Sequence, residues 1–379
     1  MSTKTRTATR TIAPRPATRP GVYVLLLATI GVLNVIGLVM VLSASSVFSL
    51  DSHGSAWYTF IRQMAWTLLG VIGFLVALRV DYRAWRRISE PFLFLSGALL
   101  VLVFVPAIGL EVAGARRWLG VGSWSIQPSE LAKLALIVFA ANLLTRREPE
   151  VHDWRRVLRP VLLVLGGFAF LVVLEPDLDS ALLIGIIVGV VLMVGGVRLA
   201  HLAAVGGAGA ALAAIFALSA PYRRDRVLTF LDPTADAANT GYQAVQSFIA
   251  LGSGGIDGVG LGAGRAKWLF LPNAHTDFIF AVIGEELGLI GTFIVLILFF
   301  ALVAFGTVTA LRAPDRFGML LATGITAWIG AQALVNMGGV VGILPASSVP
   351  LPFVSFGGSA LLVTMVAGGV LANIARQTQ

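Results

Sequence analysis

Long apolar runs separated by short polar stretches dominate the pattern along this 379-residue chain. Each of ten such runs is near the ~20 residues that a helix needs to cross a bilayer. They lie at 22–42, 61–79, 91–110, 129–145, 158–174, 180–197, 199–219, 278–311, 317–343 and 358–375. The runs lack the period-two alternation of membrane barrel strands, so the pattern predicts an all-α polytopic membrane protein with ten transmembrane helices. The first run is too long for a signal-peptide core and has no small-residue cleavage site after it, so it reads as a retained span.

Composition agrees. Hydrophobic residues make up 57% of the chain and charged residues 12%, an apolar surplus that a soluble domain could not bury. Basic residues set the expected orientation. Lys4, Arg6, Arg10, Arg15 and Arg19 precede the first span, and Arg79, Arg83, Arg86, Arg87, Arg146, Arg147, Arg155, Arg156, Arg159, Arg198, Arg312, Arg316 and Arg376 fall on the same side. Both termini are therefore expected in the cytoplasm. The net charge of +8 follows from this bias and from attraction to anionic lipid, and no nucleic-acid partner is implied. With no cysteine, disulfides and thiolate chemistry are excluded.

Residues 1–20, rich in Thr, Arg and Pro, are expected to form a disordered cytoplasmic tail ahead of a membrane domain over 21–379. Most loops are short, but 220–277 is expected as a large extracytoplasmic loop, a length usually kept for function. Its segment Tyr242–Ala250 is amphipathic and predicts an interfacial helix. The glycine run Gly258-Val259-Gly260-Leu261-Gly262 lacks the strand–helix setting of a dinucleotide fingerprint.

Ionisable groups at membrane depth point to chemistry, because each costs at least ~2.5 kcal/mol to insert. Asp277 stands where the eighth span begins, and it reads either as a helix N-cap or as a general base. His275 beside it is a possible proton partner or an incidental loop residue. Glu285 and Glu286 lie about 12 Å further along the helix, where structural hydrogen bonding is the favoured reading. Glu130 and Lys133, three apart in Gln127-Pro128-Ser129-Glu130-Leu131-Ala132-Lys133, form either a packing ion pair or the polar wall of a substrate cavity, with Ser129 able to cap the helix. The outer basic residues Arg62, Arg116, Arg117, Arg223, Arg224, Arg226, Arg265 and Lys267 run against the insertion bias. They are either solvated or suited to phosphate, whose oxygens match the arginine fork. Trp118 after the Arg116-Arg117 pair reads as an interfacial aromatic. Glu175, Asp177 and Asp179 in one outer turn form a solvated cap or a divalent-ion site for Mg²⁺ or Ca²⁺. The Pro- and Gly-rich segment Pro345–Ser359, which includes Ser355, predicts a re-entrant loop lining a cavity.

Taken together, Gly114–Leu119, Gln127–Leu134, Glu175–Leu178, Tyr242–Gly255, Lys267–Gly288 and Pro350–Gly358 resemble the SEDS family of membrane glycosyltransferases (shape, elongation, division and sporulation). Within it the segments Ala115–Trp118 and Lys267–His275 look more like the cell-division branch than the elongation branch. The resemblance implies ten spans, lipid II as substrate, Asp277 as catalytic residue, and Arg116, Arg117, Trp118, Glu130, Lys133, Lys267, His275 and Ser355 as substrate-binding candidates. It also implies a class B penicillin-binding protein, an FtsI-like transpeptidase, as partner, with other division-machinery membrane proteins, at the septum of a bacterial cytoplasmic membrane. No cofactor is required by the sequence, and a divalent cation (Mg²⁺ or Mn²⁺) is the one candidate. A lipid II flippase and a silent scaffold are the competing classes. The chain departs from the usual family residues at Asp179 (glycine), at Ala346-Ser347-Ser348 (Val-Thr-Gly) and at Phe356 (tyrosine).

Overall fold

The computed structural model describes residues 21–112, 114–121, 124–218, 224 and 228–378. The tail 1–20, with its basic residues, and Arg223 and Arg226 lie outside the described residues.

Among the described residues, ten long helices follow the ten apolar runs. They are α1 (Gly21–His53), α2 (Tyr58–Arg79), α3 (Ala84–Leu102), α4 (Pro128–Arg146), α5 (Arg159–Leu174), α6 (Leu178–Val194), α7 (Leu199–Leu218), α9 (Ile279–Leu311), α10 (Arg316–Val340) and α11 (Gly358–Gln377). An eleventh, the shorter α8 (Tyr242–Gly254), precedes α9. Eight of the described helices are long and apolar enough to cross a membrane. The other two long ones are α3, which carries Arg86, Arg87 and Glu90 near its start, and α6, which is only 17 residues long. The protein is a multi-pass helical membrane protein.

α4, α10 and α11 form the buried centre, whereas α7 buries none of its apolar window. Centre helices must meet protein all round, and α10 accordingly sets Trp328 and Phe317 in the core.

The third predicted span needs correction. α3 stops at Leu102, and the last residues of the apolar run lead into β1 (Gly109–Val112), which forms a three-stranded antiparallel sheet with β2 (Ala115–Val121) and β3 (Trp124–Ile126) of the following loop. Pro106 cannot donate a helical hydrogen bond, and the residues beyond it alternate about a strand period. β2 pairs with both neighbours, with Glu111 opposite Arg116 and Gly120 opposite Ser125.

α9 is broken rather than continuous. Gly288 takes φ +65°, which frees the amides of Leu289 and Ile290 to bond the carbonyls of Gly255 and Ile256. The carbonyls of Glu285 and Glu286 in turn accept from Val259 and Gly260. Part of the expected outer loop is thus laced into the helix break.

The basic loops gather at one end of the bundle. Arg83 Nε lies 2.9 Å from Asp315, Arg146 3.0 Å from Glu90 and Arg316 2.6 Å from Glu148, and Tyr82 also donates to Asp315. The sheet, the α5–α6 turn, α8 and the segments leading into α9 and α11 belong to the other end. The 345–357 segment re-enters as predicted. It reaches α1 midway along its length, where a Cβ on Gly37 would meet the Phe353 carbonyl oxygen at 2.5 Å.

Candidate active site

Asp277 is delivered by a short segment clamped from both sides. Asn336 on α10 donates from Nδ2 to the Asp277 carbonyl (2.8 Å) and to the Val349 carbonyl (2.9 Å). Ser355 Oγ donates to the Thr276 carbonyl at 2.6 Å and accepts from the Leu351 amide at 2.8 Å, and the Phe356 amide donates to the His275 carbonyl at 3.0 Å. α9 begins at Ile279 with Phe278 as its N-cap, so the N-cap expectation for Asp277 is corrected: the residue stands just outside the helix.

The Asp277 side chain faces a cavity of about 890 Å³. Arg62 and Trp66 of α2, Arg117 and Trp118 of β2, and Gln243 and Phe248 of α8 contribute to its walls. Ser347 and Ser348 of the re-entrant loop complete the rim. Among the described lining residues, Asp277 is the only carboxylate and Arg62 and Arg117 the only cations. α8 can reach this wall because its buried face, Ser247 and Ala250, packs inward, and Ser247 Oγ donates to the Val340 carbonyl. The predicted interfacial helix is therefore part of the cavity.

Four of the sequence candidates, Asp277, Arg117, Trp118 and the outer cation Arg62, meet at the cavity. The other described candidates do not line it. Arg116 points away and pairs with Glu111 at 3.1 Å. Glu130 and Lys133 are buried; Lys133 Nζ lies 2.7 Å from both Glu130 Oε1 and Gln332 Oε1, and 5.1 Å over the Trp328 ring. That is the packing alternative raised by their spacing. Lys267 is buried against Glu286 (3.2 Å) and also donates to the Gly262 carbonyl. Ser355 acts on the backbone beside Asp277, as described above. Ser129 does not cap α4: Gln127 is the N-cap, and its amide donates to Ser359 Oγ.

His275 stacks on Phe48 (4.9 Å between ring centroids) and leans on Phe356 (5.7 Å). Burial pushes its imidazole down to about 4, because the charged ring would lose its hydration. At neutral pH it is an uncharged aromatic spacer and not a cationic proton donor.

Glu285 and Glu286 are structural, as expected. Glu285 accepts from the amides of Arg265 (2.7 Å) and Ala266 (3.0 Å), while Glu286 accepts from Ser43 Oγ (2.7 Å) and the Gly262 amide (3.1 Å). They shape the loop that leads to Asp277.

The acidic turn is not solvated. Glu175 and Asp177 are 1% and 3% exposed. Asp177 caps α6 by accepting from the Ser180 amide at 3.1 Å. Burial, with Asp177 nearby, raises the Glu175 carboxyl to about 8, against a lowering pull from Arg117. Among the described residues no group of three His, Cys, Asp or Glu side chains is arranged to hold a metal ion.

Asn336, Gln332 and Ser43 carry no functional reading in the sequence. Lone amides inside an apolar run, such as Gln332 and Asn336, are the sequence signal that could have found two of them.

Over residues 23–379 the sequence matches the FtsW/RodA/SpoVE family, described as cell cycle protein. The chain belongs to this family. A probable peptidoglycan glycosyltransferase FtsW from Geobacter metallireducens is 42% identical over 342 residues, covering 90% of this chain and 91% of the relative. Stage V sporulation protein E of Bacillus subtilis is 39% identical, covering 91% and 94%. A solved structure described as structural coordination of polymerization and crosslinking by a peptidoglycan synthase complex superposes with TM-score 0.76 at 30% identity, over 93% of this chain and 97% of that one. The rod-shape determining protein RodA of Thermus thermophilus gives TM-score 0.68 at 28% identity, covering 93% and 96%. Two positions read from the resemblance as departures, Asp179 and Ser348, touch each other. Asp179 Oδ2 accepts from the Ser348 amide (3.0 Å) and from Ser348 Oγ (3.2 Å).

Proposed function

We propose that the protein is a peptidoglycan glycosyltransferase that polymerises lipid II into β-1,4 glycan at the outer face of the bacterial cytoplasmic membrane during cell division. The observation that carries this reading is the cavity itself, with one carboxylate, Asp277, across from walls that hold Arg62 and Arg117. A base and two cations are the groups that glycosyl transfer from a pyrophosphate donor needs. The family membership and the names of its relatives support the same activity.

Asp277 takes the proton from the 4-hydroxyl of the acceptor GlcNAc. The freed oxygen attacks the anomeric carbon of the growing strand's lipid-linked end and inverts it. The bond to undecaprenyl pyrophosphate breaks, and its electron pair leaves with the phosphate. Arg117, whose donors rest on neutral oxygens, can meet that charge. A positioned base is worth about 10²–10⁴-fold, and fixed charges at the leaving group contribute further. Asn336 and Ser355 fix the backbone on either side of the base, so its position does not depend on the substrate.

A divalent cation at this cavity would find one protein carboxylate, so an Mg²⁺ or Mn²⁺ ion would have to complete its shell from substrate phosphate and water. The donor set fits that arrangement, and Asp277 would be the residue to hold it. Such an ion would supply charge neutralisation at phosphate.

The gathering of basic loops at the end away from the cavity supports cytoplasmic termini and an outward-facing site. A class B penicillin-binding protein of the FtsI-like transpeptidase type is the proposed partner at the septum, together with other division proteins. The related solved structure is itself described as a synthase complex.

The deciding experiment is polymerisation of purified lipid II by Asp277→Asn, with and without the partner and with EDTA as a variable. Complete loss of glycan in a folded variant is expected. Near-normal polymer would refute the assignment.

A further inference from the structure

Arg117 is one of the two cations among the described residues that line the cavity. Its three donor nitrogens are spread over two chain segments besides its own strand. Nε donates to the Glu175 carbonyl at 3.0 Å, Nη2 to the Pro176 carbonyl, and Nη1 to Ser348 Oγ at 3.4 Å. Ser348 passes the interaction on, because its hydroxyl can donate only once and its partner is Asp179 Oδ2 at 3.2 Å. A second bond from the Ser348 amide to the same oxygen, at 3.0 Å, fixes the backbone at that point. The result is a directional chain from guanidinium to hydroxyl to carboxylate. It ties β2 to the α5–α6 turn and to the re-entrant loop at the cavity rim.

The chemistry of this chain matters. In the described hydrogen bonds every acceptor on Arg117 is neutral; the Glu175 carboxyl lies near enough to feel its charge without bonding it, and the Asp179 carboxylate that steadies it stands one residue removed. A carboxylate bound directly by the fork would neutralise it and compete with an anionic ligand. A hydroxyl in between holds the arginine in place while leaving its charge for phosphate. An unheld arginine carries about 2 kcal/mol of rotamer entropy that an anion would have to freeze on binding.

We propose that Asp179 and Ser348 are positioning residues that pre-organise Arg117 for the pyrophosphate of the lipid-linked substrate and product. The inference rests on the reading of the cavity as the site of lipid II polymerisation, and it assigns neither residue a direct contact with the ligand.

The test measures binding of undecaprenyl pyrophosphate to the purified full chain, in parallel with polymerisation. Arg117→Ala is expected to weaken binding about tenfold or more. Asp179→Ala and Ser348→Ala should each weaken it about three- to tenfold, the scale of one hydrogen bond's contribution. The discriminating variant is the pair Arg117→Ala with Asp179→Ala. If Asp179 acts through Arg117, the pair binds no worse than Arg117→Ala alone, whereas a general structural role multiplies the two losses. Binding by Asp179→Ala or Ser348→Ala within about twofold of wild type, or multiplicative loss in the pair, overturns the proposal. Should Asp179→Ala fail to fold, Ser348→Ala alone and paired with Arg117→Ala decides, since it removes the hydroxyl and leaves Asp179 in place. Product binding without any polymerisation by the wild type would count against the enzymatic reading alone. Polymerisation without measurable product binding would overturn the present one.

Discussion

Asn336 on α10 holds the backbone of Asp277, donating from one amide nitrogen to the carbonyls of Asp277 and Val349. A single side chain thus ties the Asp277 segment, the re-entrant loop and a central helix together. The clamp is buried, with Asn336 at 2% exposure, so water cannot replace it.

Replacing it should cost activity before it costs the fold. Asn336→Ala leaves two carbonyls short of a donor, at about 1–3 kcal/mol, and lets Asp277 drift. A misplacement near 1 Å can cost about 10²-fold, so kcat for lipid II polymerisation should fall about ten- to a hundredfold. A kcat within twofold of wild type would show that the segment is held by other contacts.

Lys267 and Glu286 form a second test. Their side chains are 6% and 0% exposed and lie 3.2 Å apart. Lys267→Met strands a buried carboxylate and should destabilise the protein by roughly 3–5 kcal/mol, whereas Lys267→Met with Glu286→Gln should recover much of that. Thermal unfolding in detergent measures both, and equal damage in single and double variants would contradict the pairing.

Glu175 predicts a pH dependence. Its carboxyl is raised to about 8 from an ordinary value of 4.5, so between these values the folded state binds more protons than the unfolded one. Stability contributed by this group is therefore present at low pH and is lost as pH rises through about 8. The melting temperature should decline from pH 5 to 9, with a shallower slope in Glu175→Gln. An unchanged slope in that variant would remove Glu175 as the cause.

Gly288 is the backbone test. Its backbone, φ +65° and ψ −163°, is in a region that essentially only glycine adopts, and a Cβ there would collide with the Gly258 amide and the Ile256 carbonyl. Gly288→Ala should lower the yield of folded protein sharply, because both the helix break and the loop laced into it depend on this residue. Normal yield and melting behaviour would show that the break can be rebuilt.

His275 carries the opposite sign to Glu175. Its ring is lowered to about 4, so protonation on acidification from pH 6.5 downward favours the unfolded chain, and stability rises with pH across that window. His275→Phe should keep the stack on Phe48 and lose this acid sensitivity in thermal unfolding. A variant as acid-labile as the wild type would place the effect elsewhere.

The apolar runs by themselves determined the class of protein, the ten long helices and the sidedness of the basic loops, because hydrophobic length and positive charge act locally and do not need a partner. The place of Asp277 just before a membrane helix was legible for the same reason: a carboxylate there is conspicuous in one dimension. Tertiary structure alone decided which charges meet. Arg117 reaches the cavity while its neighbour Arg116 does not, since adjacent strand residues point to opposite faces and the segment that forms β2 reads in the sequence as an ordinary loop between two spans. Glu130 and Lys133 close on each other and Gln332, residues some 200 positions apart, so their distance from the cavity could not be read from spacing. The residues that hold the Asp277 segment, Asn336 and Ser355, lie on other segments, and their hydrogen bonds exist only once α9, α10 and the re-entrant loop have packed.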